Sequence, residues 1–187
     1  MIKNTNTEKN LLHAFAGESQ ARNRYTYYAG QARREGFVQI AAKFEEIASQ
    51  EKEHAKRFFS FLEGGEVEIS VSFPAGKIAS TLENLQAAAN GEHEEYSVLY
   101  PSFAQIARKE GFEEIVKLFE LISIAEKQHE SQFVVFAENI KNGHIFSRPV
   151  KVIWHCLNCG YTHEDFIAPK NCPACLHPQA FFEVLYV

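Results

Sequence analysis

Two short motifs carry the side chains best suited to metal chemistry, each with a glutamate three residues before a histidine. Glu51 and His54 form the first pair, and Glu126 and His129 form the second pair 75 positions later. Residues three apart share one face of a helix, and the apolar residues around both pairs recur at spacings of three and four, so each pair is predicted to face a helical core. Because an ionised carboxylate buried among apolar side chains is costly, a bound metal ion is the expected compensation.

Two further glutamates, each directly after a glycine, supply the carboxylates that such a site would need from other helices. They are Glu18 and Glu92. One Glu-x-x-His motif from each of two helices, with one glutamate from each of two others, is the pattern of di-iron and di-manganese carboxylate bundles. The sequence therefore predicts a four-helix bundle around a dinuclear metal site.

The two halves of this bundle are a repeat with one irregularity. Tyr25 returns as Tyr100 at an offset of 75, but Glu18 and Glu92 are only 74 positions apart. One extra residue therefore lies between the second glutamate and the second tyrosine, and a helix accommodates such an insertion as a π-bulge, which is frequent at functional sites. Glu95 lies in this region and is a seventh candidate ligand for a site that needs six.

Tyr25 and Tyr100 are candidates for supporting residues of the same site. They lie one to two helical turns from Glu18 and Glu92. Either tyrosine could be a plain core aromatic whose hydroxyl needs a partner. Their placement favours hydrogen bonds to the ligand carboxylates, which would hold those ligands in position.

Capping and stop signals divide the bundle into its helices. Thr5 with Glu8, and Ser80 with Glu83, have the spacing of a capping box at a helix start, and Gly36 suits the end of the first helix. A long connection, partly extended, is expected between the second and third helices. The predicted helices run from about residue 5 to 35, 38 to 62, 80 to 110 and 113 to 141.

All four cysteines fall in the last part of the chain as two Cys-x-x-Cys pairs. Twelve residues separate the pairs, which argues against scattered disulfides and is a strong signal for one tetrahedral four-thiolate metal site. Zinc and a single iron use the same ligands, so the motif alone does not choose between them. The four predicted ligands are Cys156, Cys159, Cys172 and Cys175.

The cysteine segment has the pattern of a small β-rich domain. Val150–Trp154 alternates like a strand, and Val184–Val187 is predicted as a last short strand. We therefore expect two domains, residues 1–147 for the bundle and residues 148–187 for the cysteine site.

Composition excludes several other classes of protein. A net charge of -5 and a pI of about 5.9 give a nucleic-acid partner no electrostatic support. No apolar run approaches the roughly 20 residues of a membrane span, and the polar first residues do not form a secretory signal. A cytoplasmic protein without a membrane or nucleic-acid partner is expected.

Taken together, these motifs resemble the rubrerythrin family over nearly the whole chain. The resemblance implies a mainly α protein, with a ferritin-like four-helix bundle followed by a small, β-rich, rubredoxin-like metal-binding domain. It also implies a non-haem di-iron peroxidase that reduces hydrogen peroxide to water in oxidative-stress protection. The segments that carry the resemblance are residues 17–25, 51–54, 92–95, 126–129, 156–161 and 172–178.

The resemblance further implies cofactors and partners. The cofactors are a di-iron centre with two irons per chain and one mononuclear iron on the four cysteines, a position that zinc can occupy in purified samples. A reductase or a rubredoxin would donate electrons, and the chain would form a homodimer or a larger homo-oligomer.

Ligand roles also follow from the resemblance. Glu51 and Glu126 would bridge the irons, with Glu18 and Glu92 as terminal ligands and His129 on the second iron. The first iron would move between Glu95 when oxidised and His54 when reduced, which makes these two residues, with Tyr25 and Tyr100, the candidate catalytic residues. One departure is Leu176, where simple rubredoxins usually have glycine after the fourth cysteine.

Two other functions stay open on the sequence. A ferritin-like protein that oxidises and stores iron would use the same bundle, although storage needs no electron-transfer domain. A zinc ribbon would instead make the protein a binding scaffold. A visible spectrum separates these possibilities, because oxidised iron on four cysteines is red and zinc is colourless.

Overall fold

The computed structural model describes residues 1–185 of the chain, and its helices form a four-helix bundle. The third bundle helix is continuous but built from three elements, α3, a π-helical segment and α4. None of the helices in the described residues is both long and apolar enough to span a bilayer. In chain order the elements are α1 (Asn6–Arg34), α2 (Val38–Phe59), α3 (Thr81–Glu94), the π-helical segment (Glu95–Leu99), α4 (Tyr100–Lys109) and α5 (Glu113–Lys141).

The predicted cap residues begin and end these helices. The Thr5 side chain accepts a hydrogen bond from the Glu8 backbone N–H at 3.1 Å, and Ser80 and Glu83 form a reciprocal capping box at the start of α3. Gly36 follows α1 with a φ of +80°, a left-handed conformation that glycine adopts without steric cost.

Each half of the repeat also stabilises the first helix of the other half. Glu110, after α4, accepts hydrogen bonds from the backbone N–H and the hydroxyl of Thr7 at 2.8 and 2.5 Å. Glu35, after α1, accepts one from the backbone N–H of Thr81 at 3.1 Å. A carboxylate at a helix N-terminus satisfies free N–H groups and interacts well with the helix dipole. The two helical hairpins are thus held together at both ends.

The π-helical segment Glu95–Leu99 confirms the insertion predicted between Glu92 and Tyr100. One other boundary differs from expectation. α2 ends at Phe59 instead of Leu62, because residues 61 and 62 bond to carbonyls only three positions back. The connection between α2 and α3 contains no strand.

Two aromatic triads fill the bundle core, and the 75-position repeat relates them to each other. Within each triad the ring centroids lie 5.1 to 6.0 Å apart, in edge or tilted contact. The triads belong to separate clusters of buried residues. The first consists of Tyr25, Phe44 and Phe133, and the second of Tyr100, Phe119 and Phe58.

A three-stranded antiparallel sheet forms the C-terminal part, in the order β2-β1-β3. Its strands are β1 (Ser147–Cys156), β2 (Thr162–Ile167) and β3 (Phe182–Val184). The predicted strand Val150–Trp154 lies within β1, whereas β2 was not predicted. The predicted last strand, Val184–Val187, overlaps β3 only at Val184, and residues 186–187 lie outside the described part.

A buried side chain of α2, Gln39, is one of the links between the sheet and the bundle. The Gln39 amide donates to the Ile145 carbonyl at 3.3 Å and to the Phe182 carbonyl at 3.1 Å. β1 begins at Ser147, and the division into domains at residues 147 and 148 stays a prediction.

Candidate metal centres

Four carboxylates and two histidines converge in the middle of the bundle. They form two overlapping groups whose ligand atoms lie within 4.8 Å of one another. The first group, called the His54 lobe, consists of Glu18, Glu51, His54 and Glu126. The second, called the His129 lobe, consists of Glu51, Glu92, Glu126 and His129.

Glu51 and Glu126 each reach both lobes. One oxygen of Glu51 lies 3.0 Å from His54 Nδ1 and its other oxygen lies 2.9 Å from His129 Nδ1. Glu126 repeats the arrangement, at 3.0 Å from His54 Nδ1 and 2.9 Å from His129 Nδ1. Two carboxylates that each direct one oxygen to each of two positions have the geometry of bridging ligands.

Several polar atoms of the cluster fit a metal site better than a hydrogen-bonded network. Among the described residues, several of these atoms are buried and have no aligned hydrogen-bond partner, although buried polar groups are normally paired. Carboxylate oxygens and imidazole nitrogens suit iron and manganese. The unpaired atoms are Glu18 Oε2, Glu51 Oε1, Glu92 Oε2, both Glu126 oxygens and His129 Nδ1.

Two buried tyrosines hold the other two carboxylates, and they do so crosswise. Tyr25 on α1 donates its hydroxyl proton to Glu92 on α3. Tyr100 on α4 donates to Glu18 on α1 at 2.6 Å. Each helical hairpin therefore orients a ligand of the other hairpin. Burial, followed by repulsion from the bonded glutamate, raises the pKa of both phenols well above the usual value, so they stay protonated as donors.

The two histidines are held differently. His129 Nε2 lies 2.9 Å from Gln50 Oε1, which fixes the ring with Nδ1 towards the carboxylates. No side chain among the described residues holds Nε2 of His54, whose side chain is 17% exposed against 5% for His129. His54 is therefore the less constrained ligand. Sequence reasoning missed Gln50, because an exposed polar residue beside Glu51 breaks no pattern.

Glu95 lies beside the cluster but in neither lobe. It is partly buried at the start of the π-helical segment, and its Oε1 is 3.8 Å from the point that a Cβ on Gly17 would occupy. Burial, followed by repulsion from Glu92 and Glu126, raises the Glu95 pKa well above its usual value. The structure brings His54, and not Glu95, to the lobe, and the ligand role of Glu95 stays a prediction.

Without metal, the cluster depends on protons for compensation. Burial and the neighbouring carboxylates raise the pKa of Glu18 well above its usual value and that of Glu92 to about 8. Although burial opposes charge, the close glutamate carboxylates raise the pKa of His54 to about 10 and that of His129 to about 12. For Glu51, the two histidines outweigh burial and lower the pKa to about 2.

The metal-free protein is therefore expected to lose stability as pH rises. Glu18 and Glu92 have raised folded-state pKa values, so their contribution is full below about pH 4.5 and is lost as pH rises through those values, which for Glu92 is about 8. His54 adds to the loss above about pH 6.5. Glu51 acts in the opposite sense, but only below about pH 4.5. We expect the melting temperature of the metal-free protein to fall by about 5 °C or more between pH 5 and pH 8.

Thermal unfolding of metal-free and metal-loaded protein at both pH values checks this expectation. Bound metal compensates the carboxylates, so the loaded protein should melt higher and the gap should widen with pH. A Glu92→Gln variant, which removes one titrating group, should show a smaller fall in its metal-free form. A metal-free protein at least as stable at pH 8 as at pH 5 would contradict the electrostatic account.

The four cysteines form a second centre. All four sulfur atoms lie within 4.8 Å of one another, with Cys156 and Cys175 3.8 Å apart and Cys159 and Cys172 3.6 Å apart. A tetrahedral site with metal–sulfur bonds of about 2.3 Å has sulfur–sulfur edges of about 3.8 Å. The arrangement therefore fits a single tetrahedral ion.

Leu176 keeps the local fold of this centre although it is not glycine. It adopts a φ of +62°, a conformation that costs a non-glycine residue about 1 kcal/mol. Its N–H still bonds to the Cys172 carbonyl at 2.8 Å. The next N–H, of His177, bonds to the Cys175 sulfur, and this bond is the main reason why the pKa of Cys175 falls to about 6. The leucine side chain is 78% exposed.

Comparison with known proteins identifies both parts of the chain. The family model described as Rubrerythrin matches residues 9–136, and the model described as Rubrerythrin, rubredoxin-like domain matches residues 154–183. The two matches place the carboxylate cluster in the first region and the four cysteines in the second.

Similar proteins extend over nearly the full chain. A rubrerythrin of Nitratidesulfovibrio vulgaris is 59% identical over 98% of this chain and 96% of its own length. A rubrerythrin of Porphyromonas gingivalis is 57% identical over 97% and 91%. Among solved structures, nigerythrin in its fully reduced, all-ferrous state covers 99% of this chain and 92% of its own, with 30% identity and a TM-score of 0.66.

Proposed function

Because the chain belongs to the rubrerythrin family, we propose that it is a non-haem di-iron peroxidase that reduces hydrogen peroxide to water. The chain has a rubrerythrin-type di-iron site and a four-cysteine rubredoxin-like site. The proposed reaction breaks the O–O bond of peroxide, consumes two electrons and two protons, and yields two waters. Its biological role would be protection against oxidative stress.

The observation that carries the proposal is the presence of a two-lobed carboxylate and histidine cluster and a four-cysteine cluster in the same chain. When bound, the two irons supply the electron pair for the O–O bond and act as Lewis acids. Glu51 and Glu126 would bridge the lobes, since each directs one oxygen to each lobe. Glu18 and Glu92 would be terminal ligands.

Tyr25 and Tyr100 would act on the reaction through these terminal ligands. Their hydroxyls donate to Glu92 and Glu18, which restricts rotation of the carboxylates and keeps the oxygens directed at the cluster. Each tyrosine and the glutamate that it holds belong to different helical hairpins. Separation of the hairpins would therefore free these carboxylates to rotate.

His54 and Glu95 would exchange at one ligand position. Oxidised iron is harder and prefers a carboxylate, whereas ferrous iron accepts imidazole readily. We expect Glu95 to be the ligand in the oxidised state and His54 in the reduced state. His54 supports this assignment because, among the described residues, no side chain holds its Nε2, so it is less constrained than His129. When displaced, the Glu95 carboxylate can hold a proton for the departing oxygen.

The four-cysteine centre would return electrons to the di-iron site one at a time. A reductase or a separate rubredoxin would be the source of these electrons. We further propose a homodimer or larger homo-oligomer in the cytoplasm, in which the cysteine site of one copy can serve the bundle of its own or another copy.

The principal test measures peroxide consumption by iron-loaded protein with an external electron donor. We expect turnover with hydrogen peroxide and a red oxidised protein whose colour bleaches on reduction of the four-cysteine iron. An iron-storage protein would instead take up many irons per chain without donor-dependent turnover. A colourless zinc form that binds a macromolecule would favour the scaffold.

Glu95→Ala tests the ligand exchange. The variant retains the six ligands of the two lobes, so it should still bind two irons per chain. The rate of its reaction with hydrogen peroxide should fall by about tenfold or more. It should also lose its preference for peroxide over dioxygen. Stopped-flow oxidation of the chemically reduced protein by each oxidant measures both effects.

The matched control is Glu94→Ala, which removes the exposed neighbouring carboxylate and should behave as the parent. Crystals of the parent in oxidised and chemically reduced forms provide the structural readout. The same side chain on the iron in both states would refute the exchange, even in an active peroxidase.

A further inference from the structure

The long connection between α2 and α3 lies against α1 near Glu95. We call residues 63–79 the strap. Within the described part of the chain, residues 64–78 form no hydrogen bond, so the hydrogen bonds of the strap lie only at its ends. Ile2 N–H donates to Glu63 at 3.2 Å, and Asn84 exchanges two hydrogen bonds with the Ala79 backbone at 2.9 and 3.0 Å. A cavity of about 680 Å³ lies between the first half of the strap and the start of α1.

Phe73 is the strap residue that reaches towards the metal site. Its ring packs edge-on against His13 of α1, with centroids 5.4 Å apart. Phe73 Cε1 and Glu95 Oε1 each lie 3.8 Å from the position that a Cβ on Gly17 would occupy. The phenyl ring and the carboxylate therefore border the same small space above Gly17.

Gly17 creates this space. It lies in the interior of α1 with an ordinary helical backbone, where glycine costs about 1 kcal/mol relative to alanine. No turn or left-handed conformation explains it. What the missing side chain provides is a gap, about the size of a methyl group, between the strap and Glu95.

We propose that Phe73 is a specificity-determining residue, and that the gap between its ring and Gly17 is the entrance through which oxidants reach Glu95. The entrance would pass hydrogen peroxide and exclude alkyl hydroperoxides. Because residues 64–78 of the strap form no hydrogen bonds, packing of Phe73 against His13 holds the strap at this entrance. The inference rests on the proposed peroxidase function and names the size class of its substrate.

The test compares Phe73→Ala with the parent in single-turnover oxidation of dithionite-reduced, iron-loaded protein. The oxidants are hydrogen peroxide and tert-butyl hydroperoxide. Each takes two electrons from the reduced site and two protons, its O–O bond breaks, and the products are two waters, or water and tert-butanol. The rate with the larger oxidant, relative to hydrogen peroxide, should rise about tenfold or more in the variant.

Val71→Ala is the matched control, because Val71 lies on the same strap and is 36% exposed; its rate ratio should equal that of the parent. Phe73→Leu, which keeps apolar bulk without the ring, should be intermediate, and it serves in place of Phe73→Ala if the latter fails to fold or loses iron. Equal ratios in the parent and the Phe73 variant would overturn the proposal.

A second measurement separates the entrance from the peroxidase activity. The association rate of azide with the oxidised, iron-loaded protein, followed by its absorbance, reports access without turnover. The rate should rise several-fold in Phe73→Ala and fall in Gly17→Ala, whose added methyl narrows the gap. If the parent does not reduce peroxide but azide follows this order, the peroxidase proposal fails and the entrance stands. Azide rates that do not differ among parent, Phe73→Ala and Val71→Ala would refute the entrance.

Discussion

Replacing Glu51 or Glu126 by alanine is expected to remove most of the di-iron site. Each carboxylate contributes one oxygen to each lobe, so one substitution takes a ligand from both metal positions. Iron bound by the bundle should fall below about one per chain, and peroxide turnover should fall on the order of 100-fold or more. The small side chain also leaves a cavity among the remaining carboxylates, which repel one another.

Iron analysis, visible spectroscopy and peroxide consumption measure the loss. Glu53→Ala on α2 and Glu138→Ala on α5 are matched controls, since both carboxylates are exposed and, among residues 1–185, pair only with lysines of their own helix. These controls should keep their iron and activity. Unchanged iron content in both Glu51→Ala and Glu126→Ala would show that the metal binds elsewhere.

Cys156→Ser is expected to stop steady-state turnover while leaving the bundle folded. Cys156 is fully buried at the end of β1, and its sulfur is one of only four ligands of the four-cysteine centre. A serine hydroxyl is a poor replacement for a thiolate on this soft site. The red colour should be lost, and donor-dependent peroxide reduction should fall on the order of 100-fold or more.

The decisive comparison is between steady-state peroxide reduction with an electron donor and a single turnover of chemically reduced protein. Bundle iron that is reduced chemically should still react once with peroxide in Cys156→Ser, because the six ligands of the two lobes are untouched. Far-ultraviolet circular dichroism should show parental helix content. Lys170→Ala, an exposed change in the same region, is the control. Equal steady-state rates in Cys156→Ser and the parent would exclude the relay.

Periodicity and repeat offsets were enough to predict the bundle and the residues that converge in it. Glu51, His54, Glu126 and His129 interrupt apolar stripes, and buried charges in such stripes need compensation. The comparison of offsets 75 and 74 predicted the π-helical segment, which the structure contains. These features are local in the chain, which is why the sequence reveals them.

Features that depend on packing between distant segments were not predictable. The repeat does not reveal that Tyr25 bonds to Glu92 across the bundle, because a helix pattern gives a face but not the partner of that face. β2 was missed because its polar sequence, Thr162–Ile167, lacks an alternating apolar pattern and only one edge of it pairs in the sheet. The position of Phe73 depends on a connection with no periodicity.

The crosswise tyrosines and paired aromatic triads give the bundle an approximate two-fold axis through the metal site. A pair of identical helical hairpins would produce such a site with two equivalent metals, which is the arrangement expected of a duplicated ancestral hairpin. The inserted residue of the π-helical segment occurs in one hairpin only and breaks this symmetry. The two irons would therefore differ in their electronic environment, and one of them could change ligands while the other remains a fixed anchor.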